Sequence, residues 1–351
     1  MEAADPRYPL VPLAKGHYES FYLKAGDATG REAVWLRYTI HKRPGEAPVG
    51  SLWATLFDAD GPHAAKVSPP PEALGSGRTV APHGDGAPRT GDDASGTLGR
   101  NPADAAWLRI GDATIGAGGA SGEVPGLASW ELRFDGGEDP FPYLPRDWMY
   151  TAPLPRTKAL SLLPAVRVSG TVTVRGRTLT LDGWPGMVGH NWGAEHAERW
   201  IWLHGTAFEQ QPDAWIDVIL GRIRVGRWTT PWVANGCLSL GGRRHRLGGI
   251  GRIRSTRVDE TPERAELWLG GEDLSLRIEV GAPPRDVVGW IYSDPAGPQH
   301  DTAHCAIADM RIRIARRELP PLELTVAGGA TYELGMREHT HGVPLQPFSD
   351  P

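Results

Sequence analysis

Among its 351 residues the chain has only two cysteines, Cys237 and Cys305. A scaffold held by disulfides is therefore not expected, and the count suits a reducing compartment. No uninterrupted apolar stretch approaches the roughly 20 residues a helix needs to span a bilayer. The N-terminus, MEAADPRYPL, has no basic region leading into an apolar run, so no signal peptide is expected. These absences read together as a cytoplasmic protein without a transmembrane segment. Positive charge is neither abundant nor gathered. The formal net charge is −5, and a nucleic-acid partner would require a concentrated basic face. The densest basic run, Arg311, Arg313, Arg316 and Arg317, has the pattern of a solvated strand face. Signature motifs are missing as well: there is no G-x-G-x-x-G ahead of a helix, no P-loop and no G-x-S-x-G elbow. His300, His304, Glu338, His339 and His341 could supply zinc ligands, but no H-E-x-x-H or C-x-x-C spacing supports them. No metal is therefore expected.

What the chain has in quantity is glycine and proline, 45 and 32 residues. Both break helices and mark turns, and their spread along the whole length favours many short strands. Period-two runs bounded by turn residues bear this out. Residues 33–40 and 51–57 are rich in aromatic and β-branched side chains and could form an early hairpin. Residues 68–105 are nearly devoid of large apolar side chains and read as a long surface loop or disordered insertion. Strand patterns return at 106–110 and 129–134. Residues 135–156 are again rich in proline and glycine but carry several aromatics, so they read as a packed link between two halves, 1–155 and 156–351. The second half alternates most clearly, at 166–174, 178–181, 216–224 and 237–247, with Gly241-Gly242 at a hairpin tip. Further strands are expected at 266–269, 274–280, 306–315, 322–326 and 330–334. The spacing implies an antiparallel barrel or sandwich, all-β, with no βαβ unit.

Seven of the fourteen tryptophans fall between Trp184 and Trp232. Three histidines share that region: His190, His196 and His204. Trp200 and Trp202 are two apart on an expected strand and so share a face, with His204 next in the row. Such a row can be barrel core. Core filler, however, does not require His190, Asn191, Glu195, His196 and His204 among the tryptophans, because each buried polar group must find a partner. Apolar walls with a few converging polar groups are what a small-molecule pocket needs.

The stretch GHNWGAEHAERWIWLHGTAF resembles the junction motif of the carotenoid 1,2-hydratase and AttH-like superfamily, and is similar to tocopherol cyclases and lipocalin-like Diels–Alderases. His190, Asn191, Trp192 and Gly193 match the family's turn, and Trp200, Trp202 and His204 match the strand after it. Many relatives have Asp at the position of His190. The resemblance implies two consecutive lipocalin-like (calycin) antiparallel β-barrels, a ligand cavity near their junction and no cofactor. It also implies hydration, cyclisation or rearrangement of a hydrophobic polyene, terpenoid or polyketide-like molecule.

Protonating an alkene needs an acid kept protonated in an apolar wall, and aromatic faces to stabilise the resulting cation. Glu195 is the nearest candidate acid and Asp217 the second. His190, His196 or His204 could relay a proton or orient a water. Asn191, Trp192, His196, Trp200, Trp202 and Trp215 are the expected ligand contacts. Three functions stay open on this basis: an enzyme, a non-catalytic carrier of a hydrophobic ligand, and a scaffold with exposed tryptophans. His190 and Asn191 could equally pin the two barrels together. The sequence is silent on oligomeric state.

Overall fold

The computed structural model describes residues 4–76 and 106–348, apart from 28, 30 and 318. Residues 77–105, most of the expected insertion, lie outside the described residues. The chain is built of antiparallel strands with a few short 3-10 turns. The first sheet takes β1 (His17–Gly26), β2 (Ala33–Lys42), β3 (Val49–Asp58), β4 (Gly61–Val67), β5 (Leu74–Ser76), β6 (Ala106–Ile110), β7 (Ala113–Gly116), β8 (Gly119–Val124), β9 (Ala128–Asp135), β10 (Phe141–Pro142), β11 (Thr157–Val174) and β12 (Arg177–Gly193). The second takes β13 (Arg199–Gly205) and β14 (Trp215–Arg222) and resumes after a short hairpin, β15 (Arg224–Val225) and β16 (Trp228–Thr229). It continues with β17 (Val233–Leu240), β18 (Arg243–Gly248), β19 (Arg257–Thr261), β20 (Arg264–Gly270), β21 (Leu274–Gly281), β22 (Val288–Ser293), β23 (Gln299–Arg316) and β24 (Leu319–Met336).

In the first sheet the order runs β4-β3-β2-β1-β12-β11-β9-β8-β7-β6-β5. Its ends curl together, with β3 packed on β6 and β8. In the second, a bridge links Leu247 on the end strand β18 to Gly271, just after β20, next to the other end of the sheet. The turns follow the residues that permit them. Arg175 and Gly176 at the β11–β12 tip, and Gly241 and Gly242 at the β17–β18 tip, all have positive φ, which the tight two-residue hairpin turn requires.

Two differences from the sequence pattern stand out. Long strands run through positions that looked like breaks: β12 carries Pro185-Gly186, and β24 joins the separate runs expected at 322–326 and 330–334. Register shifts in β11 and β23 absorb the irregularity as bulges, which bend a strand without ending it. The division expected at 155/156 falls ahead of β11 and β12, which pair with β9 and β1 in the first sheet. Sheet membership changes between Gly193 and Arg199 instead. Within residues 135–156 only Phe141, Tyr143 and Leu144 are buried, and Trp148, one of the aromatics that suggested a packed link, is exposed. Phe141 and Tyr143 are buried with Trp215, and Arg246 donates to the carbonyls of Pro142 and Tyr143.

Strands β1 to β3 are almost wholly buried. One face of this ribbon, with Phe21, Leu23, Val34, Leu36, Leu52 and Leu56, fills the interior of the first domain. The other face, with Tyr22, Trp35, Trp53 and Phe57, belongs to the core of the second domain. Strand alternation thus places two different cores on two sides of one ribbon. Two buried polar ties cross the junction. Lys24 Nζ donates to the Gly329 carbonyl at 2.6 Å, and His204 Nε2 lies 2.9 Å from the Pro164 carbonyl. Burial, helped by the Lys24 charge, pushes the His204 pKa down to about 3 against that hydrogen bond. The folded state therefore holds His204 neutral. Its contribution to stability is present above the unfolded value, about 6.5, and is lost as pH falls from there toward 3. His204→Gln keeps an amide donor for Pro164 and removes the titration. Denaturant unfolding at pH 7 and pH 5 should show a shallower acid loss in the variant, by at most about 1.4 kcal/mol per pH unit. Identical slopes would show that His204 does not act in this way.

Candidate functional site

A cavity of about 150 Å³ lies against the junction, lined by β1 and β2 from one domain and β13, β14, β22 and β24 from the other. Trp35, Trp200, Trp202 and Tyr22 form its aromatic walls, and Arg37, Asn191, His196 and Glu333 bring polar groups to it. Two glycines make room for the rings. A Cβ on Gly335 would stand 2.1 Å from Trp200 Cε2, and one on Gly189 would stand 2.3 Å from Tyr22 Cζ. Both contacts are far inside van der Waals distance, so the indole and the phenol lie flat on bare backbone.

Glu333 is buried and holds three side chains. Trp200 Nε1 donates to it at 2.9 Å and the Tyr292 hydroxyl at 3.3 Å, while His304 Nδ1 lies 3.2 Å away. Burial works to raise its pKa, but His304, Trp200 and the charge of Arg37 hold it below the ordinary carboxylate value. His196 is fixed on three sides. Its Nδ1 is hydrogen-bonded to Asp294 Oδ1 at 2.8 Å, and its backbone N–H donates to the same oxygen at 2.6 Å. Its ring stacks on Tyr18 with centroids 3.9 Å apart. Nε2 has no hydrogen-bond partner among the described residues. Burial would raise the Asp294 pKa, yet the hydrogen bonds and charge of His196 keep it low.

His300 is fully buried nearby, and burial pushes its pKa down to about 3. His196, Asp294 and His300 each offer a ligand atom within 4.8 Å of the others, a spacing that could accept a cation. The histidines near the C-terminus do something else: His339 Nδ1 and His341 Nε2 both bond Asp301 Oδ2, at 2.8 and 2.9 Å.

The structure gathers some of the residues expected from sequence and disperses others. Asn191, His196, Trp200 and Trp202 line the cavity. His204 continues the tryptophan row but lies past the cavity, at the Pro164 tie. Asp217 is buried behind Trp202, accepting its Nε1–H at 3.0 Å. Burial raises its pKa to about 6, with Ser161, Tyr143 and Trp202 pulling the other way. His190 is hydrogen-bonded to Glu19 at 2.7 Å inside the first domain, where Glu19 also accepts the backbone N–H groups of Arg7 and Tyr8. Trp192 packs in that same core, and Trp215 donates to Glu138 at 2.7 Å. Glu195 is on the surface, paired with Arg156 at 2.7 Å. Sequence reasoning missed Arg37, Tyr292, Asp294 and Glu333. Arg37 could have been found: it stands two residues from Trp35 on a strand rich in apolar side chains, and so shares the face of that tryptophan.

No family model matches the sequence. Two strains of Mycobacterium tuberculosis carry an uncharacterised protein 24 % identical over 347 residues, covering 96 % of this chain and 91 % of theirs. Among solved structures, a candidate AttH from Nitrosomonas europaea superposes with a TM-score of 0.51 at 12 % identity, over 96 % of this chain and 98 % of that one. CghA, crystallised with Sch210972, superposes with a TM-score of 0.56 at 10 % identity, over 91 % and 88 %. At these identities the likeness is one of fold. The chain has the AttH-like architecture of two lipocalin-like β domains.

Two substitutions check this geometry. Gly335→Ala should displace the Trp200 indole, shift tryptophan fluorescence and cost about 1–3 kcal/mol through overpacking. Glu195→Gln removes only an exposed ion pair and should change stability by less than about 1 kcal/mol. A large loss from the second with none from the first, by thermal and denaturant unfolding, would contradict the placement of both residues.

Proposed function

We propose that the chain is a cofactor-independent enzyme performing acid/base chemistry on a hydrophobic small molecule held at the domain junction, with His196 as the proton-transferring group. The observation that carries this reading is the Asp294–His196 pair. Asp294 fixes the imidazole through Nδ1 and the backbone, and leaves Nε2 without a protein partner on a residue that lines the cavity. A histidine oriented by a carboxylate on one nitrogen and free on the other is the arrangement of a general base or acid. Glu333, with three donors already on it, is better suited to holding Trp200, Tyr292 and His304 in place than to exchanging protons. The aromatic walls add apolar binding and can stabilise a developing cation through their faces.

Isomerisation or cyclisation of a polyene, terpenoid or polyketide-like molecule that carries an activating carbonyl, or hydration of its conjugated double bond, is within reach of His196. Neutral His196 takes a proton at Nε2 from the substrate and returns it at another atom, so isomerisation and cyclisation balance without a co-reactant. For hydration of a double bond conjugated to a carbonyl, the imidazole takes the proton from the attacking water and delivers it to the α-carbon. A non-catalytic carrier is the second reading, favoured by the saturation of Glu333 and by the surface position of Glu195.

Native mass spectrometry of the purified protein, with extraction of any bound molecule, separates the two. An apolar ligand should co-purify with the wild type and with His196→Gln, and should be converted only by the wild type. The expected loss of rate is about 10²- to 10⁴-fold for His196→Gln, with a smaller loss for Asp294→Asn. A ligand that binds both proteins and emerges unchanged from either would leave the carrier reading standing and remove the enzyme.

A further inference from the structure

Arg37 is 5 % exposed, yet its charge is not matched by a close carboxylate. Among the described residues no Asp or Glu oxygen forms an ion pair with it within 4 Å, and Glu333, the acidic group on the same cavity, acts on it only at longer range. Its Nε donates to Ser20 Oγ at 2.6 Å. Tyr292 lies under the guanidinium plane, 4.0 Å from its centre, and Trp53 stands 5.4 Å away. The plane and one nitrogen are thus held by the protein. The two Nη groups, carrying four N–H donors, make no hydrogen bond to any described residue. Buried donors are almost always satisfied, and a buried cation without acceptors is strongly disfavoured. On a second side Arg37 borders a small void of about 20 Å³, with His41, Ser293 and Trp53 among its walls. That is space for one water, whose oxygen can accept at most two of the four N–H groups. At least two N–H groups of the fork then remain without an acceptor on a residue that also lines the main cavity.

The remaining charged and titratable groups around it are few. Tyr18 and Tyr22 both feel the Arg37 charge, which works to lower their pKa values against burial. Lys66 lies over the ring of Trp53 at 3.7 Å, adding positive charge on that flank. A planar guanidinium, clamped over its face and free along its edge, matches a carboxylate or an enolate with two parallel hydrogen bonds.

Resting on the reading that this cavity holds an apolar small molecule, we infer that Arg37 is an anionic-oxygen subsite. The ligand is then an apolar molecule bearing a carboxylate or an enolisable carbonyl whose oxygens sit on the Nη edge. For an enolisable carbonyl, Arg37 stabilises the negative oxygen that forms when His196 removes a proton from the adjacent carbon. For a carboxylate, it orients the apolar body along the tryptophan walls.

Cinnamate, cinnamyl alcohol and cinnamylamine share one apolar body and differ at the head group, so their binding, followed by calorimetry and tryptophan fluorescence, tests this. The wild type should bind cinnamate at least tenfold more tightly than the alcohol, and the amine most weakly. Arg37→Met should bring cinnamate and alcohol together, and Arg37→Lys should keep part of the preference, with circular dichroism confirming that both fold. Should either variant fail to fold, the head-group order in the wild type still decides. Equal binding of all three, or a cinnamate preference that survives Arg37→Met, overturns the subsite and leaves the cavity reading intact. Failure of every probe to bind the wild type overturns the cavity reading, and the subsite with it.

Discussion

The burial of β1, β2 and β3 on both faces is the constraint from which the rest of the molecule follows. Most strands of an antiparallel barrel have one apolar face and one face in water. This ribbon has Leu23, Leu36 and Leu56 on one side and Tyr22, Trp35 and Phe57 on the other, each set in a different hydrophobic core. The two domains therefore share a wall. Removing the second from the first would expose two of the largest fully buried side chains in the chain, Trp35 and Trp53. Neither domain has a complete surface without its neighbour.

A shared wall of this kind would be simplest if it were apolar throughout, and it is not. Ser20, Lys24, Arg37 and Thr39 from the first domain meet His204, His300, His304 and Glu333 from the second, all of them buried. They divide by what they touch. Lys24 and His204 end on backbone carbonyls of the opposite domain, and these bonds fix how the domains sit. Arg37, His196 and Glu333 instead surround a void, with aromatic rings between them. Each of the three is held by a protein partner that does not itself line the cavity: Asp294 for His196, Ser20 for Arg37, His304 for Glu333. That arrangement fixes the polar groups around the cavity before any ligand arrives.

The same physics separates Asp217 from the site despite its raised pKa. It is a buried acid, but Trp202 stands between it and the cavity, and its hydrogen bond orients that indole. Glu195 shows the opposite case: it is close in sequence to the tryptophans, yet it projects into water and pairs with Arg156.

The amino-acid sequence by itself determined the strand content, the tight turns at Arg175-Gly176 and Gly241-Gly242, and the tryptophan row of Trp200 and Trp202. Each of these is local, set by two-residue alternation or by glycine at a positive φ. It also singled out Asn191 and His196 in that same segment, and both line the cavity. Only the tertiary structure decided which polar residues join them. Arg37, the Tyr292–Asp294 segment and Glu333 come from parts of the chain far from one another and from the tryptophan row, and no local period links them. Nor could alternation say which face of β1 to β3 was inner, since both faces are buried and both mix large apolar side chains with polar ones. Where a strand serves two cores, the pattern that normally tells inside from outside is lost, and only the packing of one domain on the other restores it.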